Sequence, residues 1–209
     1  MRVRVKICGI TRIEDALACV DAGADALGFV FHEKSARFVT PERARSIVAA
    51  LPPFVTTVGV FLDAETETVC EIARIAGIEV AQFHGDEPAE ACDAVGMPYV
   101  KTIPVCASFD AGALDLAFPR ASGILLDTAV GAQRGGTGTA FDWRLWPKES
   151  HRRLILAGGL GPANVARAIE VTKPYAVDVC TGVESTPGKK DADKVRAFIA
   201  EVARASEGQ

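Results

Sequence analysis

From Arg2 to Cys8 the chain alternates strictly, with Val3, Val5 and Ile7 on one face and Arg2, Arg4, Lys6 and Cys8 on the other. A period of two is that of a strand. After Gly9 the period changes, because Ile13, Ala16, Leu17 and Val20 form a helical stripe, with Thr11 and Glu14 spaced as a capping box. Further stripes at i, i+3, i+4 and i+7 fall at Ala44, Ile47, Val48 and Leu51, at Val69, Ile72, Ala73 and Ala76, and at Pro88, Ala91, Cys92 and Val95. Pro162, Val165, Ala166 and Ile169, then Val195, Phe198, Ile199 and Val202, repeat the pattern. Short strand-like runs lie between them, near 25–31, 55–62, 79–83, 98–103, 122–127, 153–157 and 174–179, and with the first strand they make eight.

Punctuation supports these boundaries. Thr40-Pro41 and Glu87-Pro88 open helices, Gly23, Gly77 and Gly96 close them, and Pro52-Pro53 forbids continuation. Regular alternation of strand and helix requires parallel strands joined by right-handed crossovers, in an open doubly wound sheet or a closed barrel. The strand count favours an α/β fold of the (βα)8 TIM-barrel type, one domain over residues 1–209, although barrels usually run to about 250 residues. Two helices are weakly signalled. Ala111, Leu114 and Phe118 make only a partial stripe, and Phe141, Trp143, Leu145 and Trp146 cluster before Pro147, which predicts a brief or irregular sixth helix.

A hydrophobic content of 49% with 24% charged residues describes a globular protein, and a formal net charge of −4 without any basic run argues against nucleic acid as partner. The alternation from Arg2 is incompatible with a secretory signal, and no apolar run reaches membrane-spanning length. Six cysteines without CxxC spacing fit reduced thiols in a cytoplasmic enzyme better than disulfides or zinc.

In a closed parallel barrel the chemistry collects where strands end. Here those positions are polar or glycine-rich: Cys8-Gly9, Gln82 to Asp86, Asp127-Thr128, Gly158-Gly159 and Asp178 to Glu184. Free cysteine is commonly a small buried hydrophobe, a reading that suits Cys19, Cys70 and Cys92. Cys8, at a strand end beside Gly9 and on the face of Lys6, reads instead as a nucleophile or base, provided that a nearby positive charge or donor lowers its pKa. Asp127 closes an apolar run, where it is either a structural carboxylate bonded to loop amides or a proton donor whose pKa the apolar surroundings raise. Gly135-Gly136-Thr137-Gly138, Gly158-Gly159 and Thr181-Gly182 follow the last three strands, where bare amides can approach a phosphate. No Walker lysine and no GxGxxG accompanies them, which favours a small phosphate ester over a nucleotide. Arg37, in the loop after the second strand, is a candidate carboxylate ligand, and His84 a base, a donor or a loop hydrogen-bonding residue. His32 and His151 carry no pattern, and three dispersed histidines make no metal site.

Taken together, Lys6 to Thr11, Gly28 to Phe31 with Ser35 to Arg37, Gln82 to Gly85, Leu125 to Asp127, Gly135 to Gly138 with Phe141 to Trp143, Ala157 to Leu160, and Asp178 with Gly182 to Glu184 closely resemble the phosphoribosylanthranilate isomerase family. The resemblance runs from first strand to last helix. It implies a (βα)8 enzyme of tryptophan biosynthesis that performs an Amadori rearrangement with no cofactor or metal. By that resemblance Asp127 is the general acid, Cys8 the general base and Arg37 the ligand of the anthranilate carboxylate. It also implies that amides around Gly136, Gly138, Gly158, Gly159, Thr181 and Gly182 hold the phosphate, while His84 and Asp178 contact the substrate near the sugar. The expected partner is a phosphorylated small molecule, and monomer and homodimer both remain open.

The chain departs from the family pattern at Ala36 for proline, Phe83 for leucine, Thr139 for lysine, and Cys180-Thr181-Gly182 for Ser-Ser-Gly. Cysteine is the weaker donor, so a side-chain phosphate contact at 180 is not expected. Two alternatives stand beside this reading. One is a related phosphate-binding barrel, a histidine-biosynthesis isomerase or an indole-forming synthase, whose aspartate near Cys8 or lysine and glutamates at strand ends are not visible here. The other is a noncatalytic barrel, from which loss of Cys8 or Asp127 would be expected.

Overall fold

The computed structural model describes residues 2–106, 109–110, 112, 114–130, 133–134, 142–147 and 150–207. Eight parallel strands follow one another: β1 (Arg4–Cys8), β2 (Ala26–Val30), β3 (Thr56–Phe61), β4 (Val80–Phe83), β5 (Tyr99–Val105), β6 (Gly123–Val130), β7 (Leu154–Leu156) and β8 (Ala176–Val179). Each pairs with its sequence neighbours, and β8 returns to β1 through the register Lys6↔Asp178 and Ile7↔Val179, so the sheet closes into a barrel.

Helices α1 (Ile13–Asp21), α2 (Pro41–Val48), α3 (Thr66–Ala76), α4 (Ala89–Ala94), α5 (Leu114–Ala117), α6 (Val165–Thr172) and α7 (Ala192–Glu207) alternate with the strands. Between β6 and β7 the described residues form a 3₁₀ turn, Trp143–Leu145, and no α-helix, in keeping with the brief or irregular sixth unit that the aromatic cluster predicts. Val5, Ile7, Ile124, Leu126, Val177 and Val179 join the core shared with the helices. Their alternating neighbours Lys6, Cys8, Leu125, Asp127 and Asp178 face the interior, because a pleated strand sends successive side chains to opposite faces.

Local signals behave unevenly. Thr40 caps α2 by accepting from the Arg43 amide, and Gly77 ends α3 in the left-handed conformation. The capping box at Thr11 does not form. Helix α1 starts later, at Ile13 with Arg12 as its uncapped N-cap, and Thr11 Oγ1 instead donates to the Gly188 carbonyl at 2.5 Å. A tertiary partner has outcompeted the local one. Cys70 also departs from expectation: it lies in α3 but is exposed, whereas Cys19 and Cys92 are buried.

An unforeseen element lies after β8. A 3₁₀ turn, Thr181–Val183, runs into a small antiparallel hairpin of Glu184–Thr186 with Lys189–Lys190. The bond from Thr11 therefore fastens the loop after β1 to the one after β8.

Candidate active site

All the polar groups singled out in the described residues lie at the C-terminal end of the strands. Cys8 ends β1, Asp178 lies in β8, and Lys6 Nζ donates to Asp178 Oδ1 at 2.8 Å across the β1–β8 register pair. Both partners are buried, so the pair replaces hydration that each has lost. The Lys6 ammonium stays protonated, because Asp178 and Cys8 outweigh the opposing effect of burial.

Cys8 is 8% exposed. Burial pushes its thiol above the ordinary value, Lys6 and Lys190 pull it down, Asp178 pushes it up, and burial prevails. Cys8 is therefore a thiol at neutral pH, not a thiolate. The positive charge required by the sequence reading is present, but it does not overcome desolvation.

Asp127 sits on the far side of this pair, on β6. The strand does not end there: beyond Thr128 it continues to Val130 and pairs with Gln133–Arg134. Barrel pairing stops at Thr128, so Asp127 still lies at the rim. Burial raises its carboxyl to about 6, opposed mainly by the Thr128 amide, which donates to Oδ1 at 2.7 Å. His84 Nε2 lies 3.8 Å from Asp127 Oδ2, too long for a hydrogen bond. Because burial lowers the imidazole to about 4, His84 is neutral at physiological pH and forms no ion pair with Asp127.

Glycine makes the acid's place possible. At Gly158 the φ of 85° is left-handed, and a Cβ there would collide with Thr128 Oγ1 and stand 2.8 Å from Asp127 Oδ1. A cavity of about 250 Å³ opens at this point, lined by Asp127, Gly158-Gly159, Asp178 and Thr181-Gly182. It joins the carboxyl to two of the three glycine segments. The third contains Gly136 and Gly138, which lie outside the described residues, as does Thr139.

Arg37 reaches the same rim but already has a carboxylate. Its Nε and Nη2 donate to Glu184 at 3.0 and 2.7 Å, and Nη2 also reaches Thr181 Oγ1 at 3.4 Å. Glu184 accepts as well from Lys190 Nζ at 3.0 Å and the Gly188 amide at 3.2 Å. One carboxylate against two cations leaves the cluster with a positive charge. Thr181, which also lines the cavity, thus accepts from Arg37 through its hydroxyl, and Cys180 Sγ makes long contacts, 3.8 Å each, to Glu184 and Lys190. Neither the glutamate nor Lys190 has a role in the sequence reading. The only local signal for Glu184 is its place at the end of the polar stretch after β8, and its partners come from distant segments.

A similar tie supports His84. Lys101 Nζ donates to the Gly85 carbonyl at 2.6 Å and to Glu87 Oε2 at 2.7 Å, while Glu87 Oε1 accepts from the Asp63 and Gly85 amides. Among the described residues no group of three or more His, Cys, Asp or Glu could hold a metal ion, and no helix is long and apolar enough to cross a membrane.

A closed parallel barrel carrying a buried raised-pKa carboxyl, a thiol beside a lysine and a glycine-lined cavity at one rim is a (βα)8-barrel enzyme. The chain matches the family model "N-(5'phosphoribosyl)anthranilate (PRA) isomerase" over residues 5–201 and belongs to that family. It is 57% identical over 197 residues to the N-(5'-phosphoribosyl)anthranilate isomerase of Pseudomonas fluorescens (strain Pf0-1), covering 94% of this chain and 97% of that one. Its fold is similar to the phosphoribosyl anthranilate isomerase structure from Thermus thermophilus, with a TM-score of 0.88, 44% identity and coverage of 97% and 99%. It also resembles a phosphoribosyl anthranilate isomerase solved with reduced 1-(o-carboxyphenylamino)-1-deoxyribulose 5-phosphate, with a TM-score of 0.78, 41% identity and coverage of 99% and 100%.

Proposed function

We propose that this chain, acting as one barrel over residues 1–209, converts N-(5-phosphoribosyl)anthranilate into 1-(2-carboxyphenylamino)-1-deoxyribulose 5-phosphate in tryptophan biosynthesis. The observation that carries the reading is the buried carboxyl of Asp127 in one cavity with the Gly158-Gly159 and Thr181-Gly182 backbone. A phosphate seated on those amides brings its sugar to the acid. The family and the bound compound of the related structure point to the same substrate class.

Asp127 protonates the furanose ring oxygen, and the C1–O bond breaks as the nitrogen lone pair forms an iminium. Cys8, once its own thiol proton has passed to solvent, removes the C2 proton as thiolate, and the electrons of that C–H bond neutralise the iminium to give an enolamine. Tautomerisation to the ketone completes the Amadori rearrangement. Ring opening and enolamine formation are each driven by a proton transfer, so the reaction requires an acid and a base but no redox group. Arg37 meets the anthranilate carboxylate, held in place by Glu184. Asp178 and His84 contact the sugar, and Gly136 and Gly138 complete the phosphate seat. The protein is cytoplasmic, a monomer or homodimer, and needs no cofactor, metal, nucleic acid or membrane.

Loss of anthranilate-type fluorescence on turnover tests the proposal. Wild-type protein is expected to show it, and Cys8→Ala and Asp127→Asn to bind the substrate without turning it over appreciably. A normal rate in either variant refutes the role given to that residue.

A further inference from the structure

Lys6 has no part in the steps above, although its ammonium is buried at the rim with 7% exposure of the residue. A buried cation is destabilising unless paired, and Asp178 at 2.8 Å supplies the pair. Its other neighbour is the thiol. A Cβ built at Gly28 on β2 would stand 2.8 Å from Cys8 Sγ and 3.0 Å from Lys6 Nζ, so both side chains converge on the space that this glycine leaves empty. One cation is therefore shared between a carboxylate from β8 and the thiol two residues further along its own strand.

The charges around Cys8 come from several elements. Lys6 and Asp178 face it from β1 and β8, Lys190 from the hairpin after β8, Arg37 from the loop after β2, and a second titratable thiol, Cys180, from the turn after β8. Lys6 is the strongest of the charges that favour an ionised sulfur, and Asp178 works against it. Without a cation so close, a buried thiol would be an inert apolar group.

We propose that Lys6 is a positioning residue of the reaction, acting through Cys8: its ammonium holds the negative charge of the sulfur, and Asp178, by sharing that ammonium, sets how much of it Cys8 receives. The inference deepens the proposed function, since it rests on Cys8 being the base. A group on the substrate that hydrogen-bonds Asp178 would draw the carboxylate's charge toward itself and leave more of the lysine to the thiol. Binding and base activation then become linked through one side chain.

Alkylation of Cys8 by iodoacetamide, resolved from the other five thiols by peptide mass spectrometry and followed against pH, tests this without any turnover. In Lys6→Met the pH needed for a given alkylation rate is expected to rise by about one unit or more, and in Asp178→Asn to fall by a similar amount. Opposite signs distinguish charge sharing from a loosened barrel, which would move both variants the same way. A folded Lys6→Met with an unmoved profile, or shifts of like sign, overturns the proposal. If Lys6→Met fails to fold, Asp178→Asn decides alone: it keeps the cation, and an unmoved or raised profile refutes the sharing. Failure of the base assignment shows separately, as retained turnover in Cys8→Ala.

Discussion

The two sides of the barrel mouth bury their reactive groups about equally and raise the pKa of both, but they surround them with different charges. On the β1–β8 side Cys8 is ringed by Lys6, Asp178, Lys190 and Arg37, and its ionisation is a balance among charges and burial. On the β6–β7 side Asp127 accepts from the Thr128 amide and has a neutral imidazole nearby. Burial dominates there and keeps a carboxyl protonated into the range of about 6. Desolvation alone suffices to make an acid from aspartate, since it always favours the neutral form. It cannot make a base from cysteine, so the thiol side needs built-in positive charge.

Removal of either group should have the largest effect. Cys8→Ala and Asp127→Asn are each expected to lower kcat by at least about a hundredfold, measured by the fluorescence assay. The comparison breaks if only one of them matters.

Stability against pH should separate the two sides next. Asp127 has a folded pKa of about 6, raised from 3.8. The folded state therefore holds its proton more tightly, a contribution that is complete below pH 3.8 and lost as pH rises through about 6. Asp127→Asn is expected to unfold later than wild type at pH 7, by on the order of 2 kcal/mol in urea, and to lose that advantage near pH 4. Cys8→Ser should change the pH dependence little over the same range, because the thiol is neutral in both states there.

Smaller effects should follow from the glycines that make room on each side. Gly158→Ala adds left-handed strain to a collision beside Asp127, and Gly28→Ala presses on Cys8 and Lys6. We expect about a tenfold loss of kcat/KM or more for Gly158→Ala and a lesser loss for Gly28→Ala, where φ is not left-handed. The reverse order would mean that the thiol side is the more tightly built of the two.

Much of this was legible from the chain alone. Periodicity located all eight barrel strands, and the poor stripe after the sixth marked the unit whose described residues form a 3₁₀ turn and no α-helix. Cys8, Asp127 and the two described glycine segments stood at strand ends in the sequence and gather at one rim in the fold. What failed was where a local signal met a distant competitor: Thr11 looked like a helix cap, but its hydroxyl goes to Gly188. Glu184 was invisible as a ligand of Arg37 because 147 positions separate them. Lys6 was visible as a face-mate of Cys8, but its partner Asp178 lies 172 positions away.

The sequence by itself determined the alternation of elements and which residues close each strand, because hydrophobic period and turn chemistry are properties of neighbouring residues. The tertiary structure alone decided the protonation of those residues. Burial and the charges of other strands set that balance, and barrel closure is what brings β8 against β1 and places one lysine between a carboxylate and a thiol.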